Sequence, residues 1–223
     1  MVPYRKTYPL PEHVSYEEAA LLDCVAVAVH GARYARLSPA DRVAVVGDGA
    51  IGLSTAQVAK ALGVGKVLLA GHHDRSLRIA EELGVDVALN SRDEGFEEAA
   101  RDALEGGADV VFETVGGRGS GLETALKLVK PGGRIVIMGV FTQTPPLPFR
   151  ELLRREIDLI FAWSYSKWNG VPEYRIALEM VSSGRVNTSR MITHRFPLRE
   201  IAEGFRAALN KYESGALKVV ILP

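Results

Sequence analysis

The sequence predicts an α/β fold built on a doubly wound parallel sheet. Short apolar runs alternate with helical patterns from residue 43 to residue 138, and a glycine-rich turn joins the first run to the first of these helices. The chain has 223 residues, of which 47% are hydrophobic, and this is enough to bury one large core. Strands that alternate with helices pair in parallel through right-handed crossovers, so a ligand site is expected at the carboxyl ends of the strands.

The N-terminal part of the chain is predicted to be an irregular segment followed by helix. Residues 1–14 are rich in proline, and Ser15 with Glu18 has the spacing of a capping box at a helix N-terminus. Residues 19–37 are mostly apolar and compatible with helix, with a break expected at Asp23 and Cys24. A turn at 38–41 precedes the first strand of the sheet.

The central part is predicted to contain five strands and the helices that connect them. The strands are expected at 43–46, 66–70, 86–89, 109–113 and 134–138, and the helices at 53–62, 74–83, 96–104 and 122–129. Asp74 is expected to cap the second of these helices, because a short acidic side chain accepts hydrogen bonds from the first free N–H groups. The segment 131–133, Pro-Gly-Gly, is expected to end the fourth helix.

The remaining residues are predicted to form a sixth strand and a returning tail. The strand at 157–163 is very apolar, and an exposed apolar edge is often covered by a twofold copy of the same strand, so a homodimer through this edge is expected. Helices are expected at 172–183 and 199–210, and strands at 191–196 and 217–222. The last segment is expected to pack against residues 1–30.

The stretch 43–62 predicts a dinucleotide-binding site. Gly47, Gly49 and Gly52 follow an apolar strand with the spacing G-x-G-x-x-G and lead into a helix. Gly47 permits the tight turn, Gly49 lets a pyrophosphate approach the backbone, and Gly52 lets the helix pack closely on the strand. Ala50 and Ile51 open that helix, where free N–H groups and the positive end of the helix dipole attract phosphate.

The composition gives no sign of nucleic-acid or membrane partners. The 27 basic residues balance the 27 acidic ones, and no apolar run is long enough to span a bilayer. No signal segment is recognised at the start of the chain, so a cytoplasmic location is expected. Cys24 is the only cysteine, which excludes an internal disulfide and a zinc lobe of several cysteines.

The chain resembles the medium-chain dehydrogenase/reductase family, and in particular its zinc-type alcohol, polyol and threonine dehydrogenases. The motifs that carry the resemblance cover nearly the whole chain, at 15–22, 41–63, 80–86, 109–113, 130–139 and 217–220. The resemblance implies a Rossmann domain, a nicotinamide cofactor, and hydride transfer to or from the carbon of a small alcohol or carbonyl substrate. It also implies cofactor contacts by Thr114 and Val115 near the adenosine, by Gly139 and Val140 near the nicotinamide, and by Lys218 near the pyrophosphate. A solvated lysine on an edge strand is the alternative for Lys218.

The sequence favours NADP over NAD as the cofactor. NAD sites place an acidic residue about 20 residues beyond the glycines, but Gly71 stands at that place, 19 residues after Gly52. A small residue leaves room for a 2′-phosphate, to which His72, His73 and Arg75 are able to donate. The competing interpretation is that Asp74 still reaches the ribose.

The chain also departs from the family in one respect that bears on catalysis. Family members begin with a twisted β-barrel domain that carries most of the catalytic zinc ligands, and only traces of it are recognised in this sequence. The expected organisation is a remnant of that domain at 1–30, the Rossmann domain at 31–189, and a tail at 190–223 that returns to the catalytic side. Asp23 falls where the family has its last metal-associated residue, but a helix-break or capping role is favoured because one side chain does not make a catalytic zinc site.

Several functions therefore stay open at this point. The leading hypothesis is the cofactor-binding portion of an NADP-dependent, zinc-type alcohol or polyol dehydrogenase, with the catalytic residues and the substrate unknown. The alternatives are a zinc-independent quinone or enone reductase of the same superfamily and a nucleotide-binding module without catalysis. A methyltransferase is a further alternative, although Gly71 stands where such enzymes need an acid.

Overall fold

The fold is organised around a six-stranded parallel sheet, seen in a computed structural model that describes residues 7–118 and 120–223. The strands lie in the order β3-β2-β1-β4-β5-β6. Their bounds are β1 Arg42–Val46, β2 Lys66–Gly71, β3 Val87–Asn90, β4 Ala108–Glu113, β5 Val129–Ile137 and β6 Asp158–Phe161. The predicted doubly wound α/β fold is confirmed. Because the strand order reverses on the two sides of β1, a crevice opens at the carboxyl ends of β1 and β4.

Helices fill the crossovers between the strands. In chain order after β1 they are α3 Ala50–Ala61, α4 Asp74–Glu82, α5 Phe96–Ala103, α6 Ser120–Leu128 and α7 Phe149–Arg154. Before the sheet, α1 is Tyr16–Ala19 and α2 is Leu22–Ala35, and after it α8 is Glu173–Ser182. The helix α2 packs between α3 and α8 in an apolar cluster that includes Val25, Val58 and Leu178.

The core lies on both faces of the sheet. Alternate residues of each strand pack into two separate apolar clusters, one on each face. One face buries Val43, Val45, Leu69, Phe112 and Val136. The other face buries Ala44, Val46, Leu68, Val111 and Ile135. Strands that are covered on both faces are continuous apolar runs, and this is why these strands were recognisable in the sequence.

The structure corrects three details of the predicted elements. The helix α2 runs without interruption through Asp23 and Cys24, and the break lies just before it, between Ala19 and Leu22. His73 rather than Asp74 is the N-cap of α4, and the Asp74 carboxylate accepts a hydrogen bond from the Asn90 amide (3.1 Å). The Pro-Gly-Gly segment at 131–133 lies within β5, where the register with β4 shifts. The capping box of Ser15 and Glu18 is present as predicted.

The C-terminal part adds two small sheets and an amphipathic helix. A hairpin pairs β7 Lys167–Trp168 with β8 Val171–Pro172, and β9 Ile192–Pro197 pairs in parallel with β10 Lys218–Leu222. Between the last two strands lie α9 Ile201–Leu209 and α10 Lys211–Ser214. An ion pair from Arg195 to Glu17 (2.5 Å) and a hydrogen bond from Thr188 to the Glu18 carbonyl (3.2 Å) hold this part against the N-terminal helix.

The predicted domain boundaries at 30 and 189 stay predictions, and residues 1–6 of the expected catalytic-domain remnant lie outside the described residues. Within the described part of the chain, no helix combines the length and the apolar character that crossing a membrane requires.

The edge of the main sheet at β6 is open and apolar. Leu159 and Ile160 are partly buried, whereas Phe161 is 67% exposed and Trp163, just beyond the strand, is 74% exposed. The strand is shorter than the predicted 157–163, but its position at the edge agrees with the prediction.

Gly52→Ala is expected to lower the free energy of unfolding by about 1–3 kcal/mol, measured by urea denaturation. A Cβ at Gly52 would overlap the backbone carbonyl of Gly47, so the helix α3 would have to move away from β1. The gain in helix propensity from Gly to Ala, roughly 1 kcal/mol, would reduce this loss without cancelling it.

Gly49→Ala in the same loop is the matched control. Apart from its two chain neighbours, no described residue has an atom within 4 Å of the position of its Cβ, so its unfolding curve should stay close to that of the wild type. Equal destabilisation by both substitutions would contradict close packing at Gly52 as the cause.

Candidate functional site

The glycine loop between β1 and α3 forms one wall of the candidate site. Gly47 has a φ of +116°, which side chains rarely tolerate, and its N–H donates to the Ala70 carbonyl (2.8 Å). Gly52 packs on the carbonyl of Gly47. Gly49 is the N-cap of α3 and has no side chain to cap the helix, so the first N–H groups, at Ala50 and Ile51, remain available to a ligand.

A cavity of about 150 Å³ opens beside this loop at the carboxyl ends of β1, β2 and β4. It is the crevice that the strand order predicts. Its lining includes five of the residues predicted from the sequence, Gly47, Gly71, His72, His73 and Val115. Asp48 and Ser120, which were not predicted, line it as well. The residues predicted at the ribose, Gly71, His72 and His73, and the start of the glycine loop at Gly47 thus line the same cavity.

The carboxylate of Asp48 holds the turn that follows β2. Its Oδ2 atom accepts hydrogen bonds from the backbone N–H groups of His72 (2.8 Å) and His73 (2.7 Å). The ring Nδ1 of His73 lies 3.0 Å from the same oxygen, and Asp48 is only 8% exposed. A Cβ added at Gly71 would lie 2.5 Å from the Asp48 Cβ, so Gly71 makes room for this side chain.

The predicted phosphate-binding cations are not all brought to the cavity. Arg75 donates to the Gly215 carbonyl (3.3 Å) and lines a separate cavity with Arg78, Arg190 and Arg195. Burial and the nearby guanidinium of Arg92 lower the pKa of His72, so its imidazole is neutral at pH 7. The His73 ring packs on Tyr212 (4.8 Å between ring centroids).

A second buried carboxylate, that of Glu113, holds the turn that follows β4. The residue is fully buried, and its Oε1 atom accepts hydrogen bonds from the N–H groups of Val115 (2.8 Å) and Gly116 (2.8 Å). Its backbone carbonyl accepts from Met138 (2.9 Å) and Gly139 (3.0 Å). Burial raises the pKa of the Glu113 carboxyl, because water no longer solvates the charged form.

The loops after β4 and β5, which contain the predicted cofactor residues Gly139 and Val140, are joined by their backbones. Gly117 donates to the Val140 carbonyl (2.9 Å), and Thr142 donates to the Gly117 carbonyl (2.9 Å). Gly116 and Gly139 lie so close that a Cβ on either one would overlap the backbone of the other loop. Val140 itself is 61% exposed.

The remaining predicted cofactor residues lie in different surroundings. The Thr114 hydroxyl donates to the Val46 carbonyl (2.8 Å) and fastens the end of β4 to the end of β1. Lys218 lies on β10, where its charge is near Cys24, and it is not among the residues that line the cavity. The contact of Lys218 with the pyrophosphate therefore stays a prediction.

Asp23 does not meet the requirements of a catalytic zinc site. It is exposed in the first turn of α2, and it hydrogen-bonds the hydroxyl of Tyr165. A catalytic zinc needs three protein ligands, and residues 7–118 and 120–223 contain no group of three or more histidine, cysteine, aspartate or glutamate side chains that could hold a metal ion. The described residues thus do not fit a zinc ion.

Sequence reasoning missed the two carboxylates that organise the site. Asp48 stands inside the glycine motif itself, and the presence of an acidic residue there is the sequence signal that indicates its role in the site. Glu113 ends a strand that is otherwise apolar, and a charged residue at such a point indicates a buried polar role. Arg92 and Tyr212 had no signal, because only the fold brings them near His72 and His73.

The sequence matches known dehydrogenases. A profile of the family described as zinc-binding dehydrogenase matches residues 50–183. The protein YdjJ of Escherichia coli K12, described as an uncharacterized zinc-type alcohol dehydrogenase-like protein, is 31% identical over 92% of this chain. Sorbitol dehydrogenase of Bacillus subtilis is 30% identical over 96% of it. The chain spans 57% and 59% of the lengths of these two relatives.

Solved structures with the same fold also extend beyond this chain. An Escherichia coli oxidoreductase of unknown specificity, ECK1772, superimposes with a TM-score of 0.90 at 30% identity, covering 99% of this chain and 62% of its own. A protein of Sinorhizobium meliloti described as a zinc-binding dehydrogenase, solved with bound NADP, superimposes with a TM-score of 0.86 at 26% identity. The alignment with the latter covers 100% of this chain and 64% of that structure.

Glu113→Gln is expected to change how stability depends on pH. An acid whose pKa is raised in the folded state stabilises the fold while it is protonated, and this contribution is lost as the pH rises from about 4.3, the usual value of glutamate, through the raised pKa. The free energy of unfolding of the wild type should therefore fall relative to that of Glu113→Gln as the pH rises, in urea titrations between pH 5 and 8. Glu123→Gln, which removes an exposed charge from α6, is the control, and parallel curves for wild type and Glu113→Gln would contradict this assignment.

Proposed function

The chain belongs to the zinc-binding dehydrogenase family, and on that premise we propose that it is the cofactor-binding portion of a nicotinamide-dependent alcohol or polyol dehydrogenase. The substrate class is a small alcohol and its carbonyl product. The sorbitol dehydrogenase of Bacillus subtilis, similar over 96% of this chain, supports this class. The proposal concerns the activity of the complete enzyme, since the chain spans less than two thirds of such relatives.

The open space at Gly49 is the observation that carries the proposal. Apart from its two chain neighbours, no described residue has an atom within 4 Å of the Cβ position of Gly49. A Cβ at Gly47 would instead meet the Thr114 hydroxyl, and one at Gly52 would overlap the Gly47 carbonyl. The loop is thus closely packed where helix meets strand and open where a pyrophosphate would approach. Gly49 is also the N-cap of α3, where the helix N-terminus has no side-chain cap and carries free N–H groups and a partial positive charge.

The residues of the crevice would bind and orient the cofactor. The amides at Ala50 and Ile51 would hold the diphosphate, and the loop of Thr114 and Val115 would line the adenosine side. The joined loops at Gly116 and Gly139 would hold the nicotinamide end at the switch point of the sheet. The nicotinamide ring, when bound, accepts or donates the hydride, and the protein supplies position and electrostatics.

The same proposal includes a homodimer formed through β6. Among the described residues, the outer backbone groups of β6 have no partner strand, and pairing with a twofold copy would cover apolar surface that Phe161 and Trp163 expose. A cytoplasmic location stays a prediction from the sequence. The described residues offer no zinc site, so zinc would need ligands from elsewhere in a complete enzyme.

The wild-type protein is expected to bind NADH or NADPH, observed as a shift and enhancement of nicotinamide fluorescence on titration. Gly49→Ala should weaken this binding by about tenfold or more, because its methyl group would stand where the pyrophosphate meets the backbone; tenfold corresponds to about 1.4 kcal/mol. The unfolding curve of Gly49→Ala is the control for folding. Absence of binding of either coenzyme to the folded wild type would overturn the proposal.

Phe161→Asp is expected to convert the dimer to a monomer, measured by sedimentation equilibrium, because it places a charge on the pairing edge. Phe205→Asp changes an aromatic residue of similar exposure, 62%, on α9 and should leave the dimer intact. Dissociation by Phe205→Asp alone would place the interface on α9 instead.

A further inference from the structure

The structure supplies a carboxylate at the point where the sequence lacks one. Gly71 ends β2, and β2 pairs with β1 so that Val46 lies opposite Ala70. This register carries Asp48 across to Gly71, where a side-chain Cβ at residue 71 would lie 2.5 Å from the Asp48 Cβ and 2.6 Å from its Oδ2. The Asp48 side chain therefore occupies the space that the Cβ of any residue at position 71 would need, and it brings a carboxylate to the end of β2.

The hydrogen bonds of Asp48 define what this end of the cavity is able to bind. Its Oδ2 atom already accepts from the two amides that follow β2, those of His72 and His73. These amides would otherwise be free donors for a phosphate. Its Oδ1 atom lies 3.1 Å from the His73 ring nitrogen and, as a carboxylate oxygen, is able to accept a further hydrogen bond from a ligand hydroxyl.

The Asp48 carboxylate opposes a second phosphate at this point, whereas Arg92 is a nearby cation whose charge reaches His72. A 2′-phosphate carries nearly two negative charges at neutral pH and would be placed against the Asp48 carboxylate. Arg75, the cation expected to offset that charge, lies toward Gly215 and a different cavity. Arg92 is placed over the Tyr212 ring, 5.1 Å from its centroid.

We propose that Asp48 is a specificity-determining residue that accepts a hydrogen bond from the adenosine ribose hydroxyls and directs the site to NADH rather than NADPH. The inference rests on the proposed function, since it concerns the ribose end of the same cofactor site. It reverses the preference for NADP that Gly71, His72, His73 and Arg75 predict from the sequence. The reason is that the acid comes from the glycine loop and not from the end of β2.

Fluorescence titration of the folded protein with NADH and with NADPH tests the inference. The wild type should bind NADH at least several-fold more tightly than NADPH. Asp48→Asn keeps an acceptor oxygen for the amides of His72 and His73 but removes the charge, and it should lower the ratio of the NADH to the NADPH affinity by about tenfold, or 1.4 kcal/mol. Arg75→Ala is the control and should leave the ratio unchanged.

A second measurement needs no variant and so does not depend on how Asp48→Asn folds. Adenosine 5′-phosphate and adenosine 2′,5′-bisphosphate, which differ only in the 2′-phosphate, compete for the adenosine end of the site. The wild type should prefer the first.

A preference of the wild type for NADPH and for the bisphosphate would overturn the role of Asp48, as would an unchanged affinity ratio in Asp48→Asn. Both of these results would leave the proposed dinucleotide function standing. Failure of the wild type to bind either coenzyme would overturn the proposed function and this inference with it.

Discussion

The contact between Gly52 and the carbonyl of Gly47 is the constraint on which the arrangement of this protein depends. It lets α3 start directly at the end of β1, so the helix N-terminus lies at the switch point of the sheet. A side chain at Gly52 would separate helix and strand, and the open space at Gly49 would no longer face the first N–H groups of α3. The same loop conformation therefore gives both the close packing of Gly52 on Gly47 and the open space at Gly49.

Two buried carboxylates give the crevice its shape. Asp48 gathers the amides of the turn after β2, and Glu113 gathers those of the turn after β4. Removing a carboxylate from water is unfavourable unless hydrogen bonds compensate it, and each of these groups accepts at least two from backbone N–H groups. Backbone donors that would otherwise be free are thereby satisfied, and the turns are held in fixed positions without help from the ligand.

Some large apolar side chains are exposed at the surface and do not pack in the core. Phe161 and Trp163 extend the open edge of β6, and Ile201, Phe205 and Leu209 are exposed along one side of α9. Contiguous apolar surface of this kind marks places where protein meets protein.

The order of the strands and helices and the glycine loop could be predicted from the sequence, because hydrophobic period and turn residues are local properties of the chain. Which side chains line the cavity could not be predicted in this way. Arg75 is close to Gly71 in sequence, yet its side chain contacts Gly215, and Asp48 contacts the position of Gly71 although the two are 23 positions apart in the sequence. Only the tertiary structure decided these contacts, since the register of β1 against β2 and the direction of each turn determine which side chains share a space.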